Sequence, residues 1–197
     1  MIGRKKELSF LENGLSSQGT LRVAFVSGMP GIGKSYLFEE LAKRLANQNP
    51  QHLLVVINGG EVKDFHSLLS ALARNLIPGS EISPKELHDC GRKLGTAIVD
   101  IENQLRAGIE PKEFRQQLAT TYIDLIENAL SASHVAPITF TPILILEDLE
   151  LIPEALKDWL ANDLNLALRK SKFFQNTRFL LSSKQSMAHF EAFFANF

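Results

Sequence analysis

Residues 21–35 read Leu-Arg-Val-Ala-Phe-Val-Ser-Gly-Met-Pro-Gly-Ile-Gly-Lys-Ser. A run rich in β-branched and aromatic residues (Val23, Phe25, Val26) stops at Gly28. Gly33-Lys34-Ser35 follow, and then Leu37, Phe38, Leu41 and Leu45 recur at helical spacing. The stretch predicts a strand, a glycine-rich turn and a helix, with Gly-x-x-x-x-Gly-Lys-Ser placed at the turn.

That pattern suits one chemistry. A polyphosphate sets several negative charges within a few ångströms, and backbone N–H groups can wrap it closely only if no Cβ intervenes, which explains Gly28, Gly31 and Gly33. The helix that follows adds its unpaired N–H groups and the positive end of its dipole. Lys34 supplies a full charge to the β- and γ-phosphates, and the Ser35 hydroxyl can join the shell of a Mg²⁺ ion. The residues expected around a nucleotide are therefore Gly28, Met29, Pro30, Gly31, Ile32, Gly33, Lys34, Ser35 and Tyr36. A strand–helix turn that is merely glycine-rich is the weaker alternative, because the whole motif stands in its proper context.

Working outward, 197 residues are enough for one large α/β domain with a real core. A formal net charge of −1 gives no basic field that would point to nucleic acid or an anionic membrane. The single cysteine, Cys90, excludes an internal disulfide framework, and no Cys/His cluster has zinc spacing. The five histidines are scattered. There is no signal-peptide pattern and no apolar run near the roughly 20 residues of a membrane span. A soluble cytoplasmic protein is expected.

On the amino-terminal side, Leu8, Leu11 and Leu15 predict a helix over 4–16, broken by Asn13-Gly14 and the polar residues 16–19. On the other side, the nearly continuous apolar run 52–57 reads as a buried parallel strand. A helix over 64–76 follows, with Asp64 as its N-cap or first-turn acid. Residues 79–140 interrupt the strand–helix alternation. Ser83-Pro84 opens one helix, carried by Leu87, Leu94, Ile98, Ile101 and Leu105, and Pro111 opens a second. The pair is read as two helices packed on the sheet, with a lid or docking hairpin as the alternative.

Residues 142–150, Pro-Ile-Leu-Ile-Leu-Glu-Asp-Leu-Glu, form the second informative stretch. Four apolar residues lead to Glu147 and Asp148 at the carboxyl end of a buried strand, where open α/β sheets bind ligands. One acid can hold Mg²⁺ while the other polarises an attacking water; capping the next helix is the plainer alternative. An amphipathic helix over 153–170 and a strand over 178–182 complete the series. The apolar tail (Phe190, Phe193, Phe194, Phe197) calls for a covering surface, in this domain or beyond it.

With both motifs placed, the chain resembles the AAA+/STAND branch of P-loop ATPases, in particular the AAA ATPase domains of bacterial signalling regulators. Three pieces carry the likeness: Ile2-Gly3-Arg4-Lys-Lys-Glu-Leu8, Val26–Ser35 and Ile143–Leu149. The resemblance implies a three-layer αβα fold with a mostly parallel sheet ordered 5-1-4-3-2, the fifth strand lying beyond this sequence. It implies ATP or ADP with Mg²⁺ as ligands, Ile2, Gly3 and Arg4 along the adenine, and Ser182 or Ser183 at the sensor position. The expected catalytic set is Lys34, Glu147, Asp148 and Ser183, and the metal set is Ser35, Glu147 and Asp148. Glu-Asp replaces the commoner Asp-first order, so separate roles for the two acids stay open. Residues 1–197 are expected to form one core, the amino-terminal piece of a longer protein, acting as a nucleotide-driven conformational or assembly switch, weak or silent in hydrolysis by itself. A non-hydrolysing nucleotide module that recruits a protein partner is the alternative; no nucleic-acid contact is indicated.

Overall fold

Strict alternation along the central strands sets the layers. In β2 (His52–Asn58), Leu53, Val55 and Ile57 point to one face and Leu54 and Val56 to the other. β4 (Thr141–Glu147) repeats this, with Leu144 and Leu146 opposed to Ile143 and Ile145. So does β5 (Arg178–Ser183), where Phe179 and Leu181 oppose Leu180. Strands buried on both faces need helices on both, and three layers result. The computed structural model describes residues 4–16, 18–48, 52–108, 110–137 and 140–195.

One face is covered by α1 (Lys5–Leu15) and α2 (Lys34–Gln48), through Leu8, Leu11, Leu15, Leu37, Phe38, Leu41 and Leu45. The other carries α3 (Phe65–Arg74), α4 (Pro84–Arg106), α5 (Pro111–Ala132), α6 (Glu154–Trp159) and α7 (Asn165–Lys170). With β1 (Val23–Ser27), the sheet runs β1-β5-β4-β2-β3, parallel except for the short β3 (Leu76–Pro78), which pairs antiparallel with β2. In order of appearance the four parallel strands stand 1-4-3-2, the expected arrangement.

Local chemistry explains most boundaries. Asp64 caps α3 in a reciprocal capping box: its carboxylate accepts from the Ser67 N–H, while the Ser67 hydroxyl accepts from the Asp64 N–H. Leu76 is not helical as expected. Helix α3 ends at Arg74 with Asn75 as its C-cap, and Leu76 joins the sheet edge. The helix expected over 153–170 is continuous in path but widens into a π-turn at Leu160–Leu164, between α6 and α7. In the amino-terminal half of β5, the Arg178 guanidinium donates to the carbonyls of Gly14 (2.7 Å) and Gly19 (2.9 Å), tying the α1–β1 connection to the sheet. The tail turns back over β1 in α8 (Glu191–Phe194), and Phe25 packs against Phe190 and Phe194 at ring separations of 5.9 and 5.4 Å. Phe197 lies outside the described residues.

Candidate functional site

The parallel strands β1, β5, β4 and β2 all end on one rim, and the glycine-rich loop leaves the end of β1. Gly31 and Gly33 hold φ of 81° and 86°, and a Cβ built on either meets nothing within 4 Å. These positions use glycine for its left-handed backbone, and the space a side chain would fill is open to a ligand. Gly28 differs: a Cβ there would lie 2.1 Å from Ile32 Cδ1, so the isoleucine side chain folds across the start of the loop.

Lys34 begins α2 and is buried, with Nζ turned back to donate to the carbonyls of Gly28 (2.7 Å) and Met29 (3.3 Å). The ammonium thus sits at the mouth of the loop on two carbonyl oxygens that a phosphate oxygen can replace. Met29, Pro30 and Tyr36 are exposed at the rim. Arg4 caps no amide. Its Nη2 donates to the Ile32 carbonyl at 2.7 Å, joining the start of α1 to the loop. Ile2 and Gly3 lie outside the described residues. Between α1 and the loop runs a groove of about 630 Å³ beside the phosphate cradle, lined by Phe10, Phe25, Val26 and Ile32 together with the charged Arg4, Lys6 and Glu7.

A second groove, of about 750 Å³, brings the two sequence motifs together. Ser35 at the start of α2 and Glu147 at the end of β4 both line it, joined by Asn58 at the end of β2 and Glu61 in the turn that follows. Asn58 and Glu147 are register partners on adjacent parallel strands. The donors are hydroxyl, carboxylate and amide oxygens, which suit Mg²⁺. Among the described residues no group of three His, Cys, Asp or Glu could hold a metal by itself. A hydroxyl and one carboxylate, with phosphate oxygens completing the shell, is how Mg²⁺ is usually held beside a nucleotide. The residues therefore fit both a polyphosphate and its metal.

Glu147 and Asp148 do not share one environment. Glu147 continues the face of Ile145, toward α2. Asp148 takes a left-handed backbone (φ 50°, ψ 52°), starts the 3₁₀ turn Leu149–Leu151, and donates its N–H to Ser182 Oγ at 3.3 Å. Ser182 shares the face of Leu180, toward α2, and its hydroxyl proton is not used by that bond. Ser183 is fully buried on the opposite face; its Oγ donates to Glu150 Oε2 at 2.5 Å and accepts from the Gln185 N–H at 2.9 Å. Burial alone would raise the Glu150 carboxyl, but hydrogen bonds from Ser183 and the backbone amides, with the nearby Lys184 charge, hold it below the usual glutamate range. The structure thus brings Lys34, Ser35, Glu147, Asp148 and Ser182 to one rim, and turns the Ser183 hydroxyl away from it. Sequence reasoning missed Asn58, Glu61 and Glu150; for the first two, their place at the end of a parallel strand was the available signal.

A strand–loop–helix phosphate cradle, with a lysine at its mouth and a carboxylate from a neighbouring strand, defines a P-loop nucleoside-triphosphate-binding protein. Residues 1–170 match the family described as the AAA ATPase domain, and the chain belongs to that family. Nucleotide binding and hydrolysis are the activities that membership indicates. No curated protein matches the chain.

Proposed function

We propose that this domain binds ATP with Mg²⁺ and couples its hydrolysis to a conformational or assembly switch read by a protein partner. The observation that carries the reading is that Ser35 and Glu147, distant in sequence, line one groove, and that Ser35 follows directly on the open loop at Gly31 and Gly33. The adenine takes the groove between α1 and the loop, against its apolar residues. The phosphates take the backbone N–H groups, and Lys34 exchanges the Gly28 and Met29 carbonyls for phosphate oxygens. Ser35 and Glu147 would hold Mg²⁺, which would supply positive charge against that developing on the phosphoryl group. Glu147 or Asp148 accepts hydrogen bonds from the attacking water, and the Ser182 hydroxyl donates to the γ-phosphate.

The Lys34 exchange supports the switch, because a bound γ-phosphate would draw the ammonium off the loop it now closes. The test is ATP titration alongside a turnover assay, on wild type and on the Glu147→Gln/Asp148→Asn double variant. The expected outcome is turnover in wild type, and in the variant, binding without turnover. Binding by wild type without turnover, even when joined to any flanking domains, would favour the non-hydrolysing recruitment module instead.

A further inference from the structure

The turn after β4 carries a third acid, and its geometry differs from that of the first two. Glu150 lies in the 3₁₀ turn Leu149–Leu151, with its carboxylate directed at the end of β5. It accepts from Ser183 Oγ at 2.5 Å and from the Lys184 N–H at 3.3 Å to each oxygen. Those donors engage both of its oxygens on the face of the sheet away from α2. A general base must reach the attacking water, so this carboxylate is badly placed for that role.

Its partner connects further. The Ser183 carbonyl accepts the Gly28 N–H at 3.2 Å, so the first residue of the phosphate loop hangs from the residue that Glu150 grips. One position earlier, Ser182 Oγ accepts the Asp148 N–H at 3.3 Å. The acid-bearing turn is thus fastened to β5 at two successive residues, and β5 is fastened to the loop. Under the turn, a Cβ on Gly59 would lie 2.4 Å from the Asp148 carbonyl and 2.9 Å from that of Glu147, so the turn is closely packed from below.

We propose that Glu150 is a positioning residue: through Ser183 it fixes the Glu147–Asp148 turn against the phosphate loop, and so sets how strongly Mg²⁺ enhances ATP binding. This deepens the ATP–Mg²⁺ reading and rests on it. Residues that orient a metal's ligands, without touching the metal, typically change metal affinity by about 10–100-fold when removed.

The test measures ATP affinity by calorimetry with excess Mg²⁺ and with EDTA, for wild type, Glu150→Ala, Glu150→Gln, Ser183→Ala and Lys34→Ala. Hydrogen exchange of residues 147–151 without nucleotide gives an independent readout. Glu150→Ala and Ser183→Ala are expected to cut the Mg²⁺ enhancement by about tenfold, to leave affinity in EDTA unchanged, and to speed exchange in the turn. Glu150→Gln keeps an acceptor oxygen at the same reach and is expected to stay near wild type. An unchanged enhancement in Glu150→Ala overturns the proposal. So does an equal loss with and without Mg²⁺, which marks a merely structural role. Glu150→Gln behaving like Glu150→Ala also overturns it, since charge and not hydrogen bonding would then matter. A wild type that binds no ATP, or binds it no better than Lys34→Ala, is a different failure: it removes the nucleotide reading itself.

Discussion

At the scale of single residues, the proposed site depends on Lys34. Its ammonium now rests on the Gly28 and Met29 carbonyls. A charged hydrogen bond to a ligand contributes about 1.5–3 kcal/mol. Lys34→Ala is therefore expected to weaken ATP binding by roughly ten- to a hundredfold, read by calorimetry. Lys34→Arg is not expected to rescue it, because a planar fork cannot replace a compact ammonium in a narrow loop. The lysine, the serine and the glycines were legible from sequence because their spacing encodes the loop itself. The division between Ser182 and Ser183 was not. Two adjacent hydroxyls at a strand end point to opposite faces, and only the register of β5 against β1 and β4 decides which faces α2. Glu150 stayed hidden for a related reason: its partner lies on another strand.

At the scale of elements, the sequence was clearest where one period persisted. Continuous apolar runs marked β2 and β4 as doubly covered strands, Asp64 marked the start of α3, and prolines at the first helical position marked those of α4 and α5. It was least clear at β3, a strand of three residues too short for any period to register. The π-turn within 153–170 was equally invisible, since an extra residue in one turn leaves an apolar stripe almost intact. Trp159 sits where α6 passes into that turn, fully buried, edge-on to Phe65 at 5.8 Å, with Nε1 donating to the Arg115 carbonyl at 2.8 Å. The Arg115 guanidinium in turn bridges Asp158 (2.6 Å), just before the widening, and Asp163 (2.8 Å), within it. Trp159→Ala removes the largest side chain there and is expected to cost about 3–5 kcal/mol. For a chain of this size, that lowers the melting midpoint by about 6–20 °C, measured by thermal unfolding. Trp159→Phe keeps an aromatic ring but loses the Nε1–H bond to the Arg115 carbonyl, and should fall between wild type and alanine.

At the scale of the whole molecule, the sheet has a working rim and a structural rim. The proposed nucleotide site lies at the carboxyl ends of the parallel strands, and His52 begins β2 at the other end. That histidine is almost wholly buried; Nδ1 hydrogen-bonds the Leu45 carbonyl, and Nε2 has no partner among the described residues. Burial lowers its pKa below the ordinary 6.5; the Leu45 carbonyl opposes the shift and the Arg178 charge adds to it. In the unfolded chain the ring takes a proton near pH 6.5, whereas the folded protein resists that proton. The unfolded state therefore binds more protons in the interval below 6.5, and stability contributed by the neutral ring is lost as pH falls through the lowered value. The melting midpoint is expected to drop between about pH 7 and 5, and His52→Gln to flatten that slope. Calorimetry well below the midpoint should show the same ATP affinity for both proteins at each pH in that range. The proton acts on the far rim: among the described residues His52 meets α2 through Leu45, at the opposite end of that helix from Lys34. A pH-dependent affinity that His52→Gln abolished would mean that the sheet conveys strain from one rim to the other, and would overturn the separation argued here.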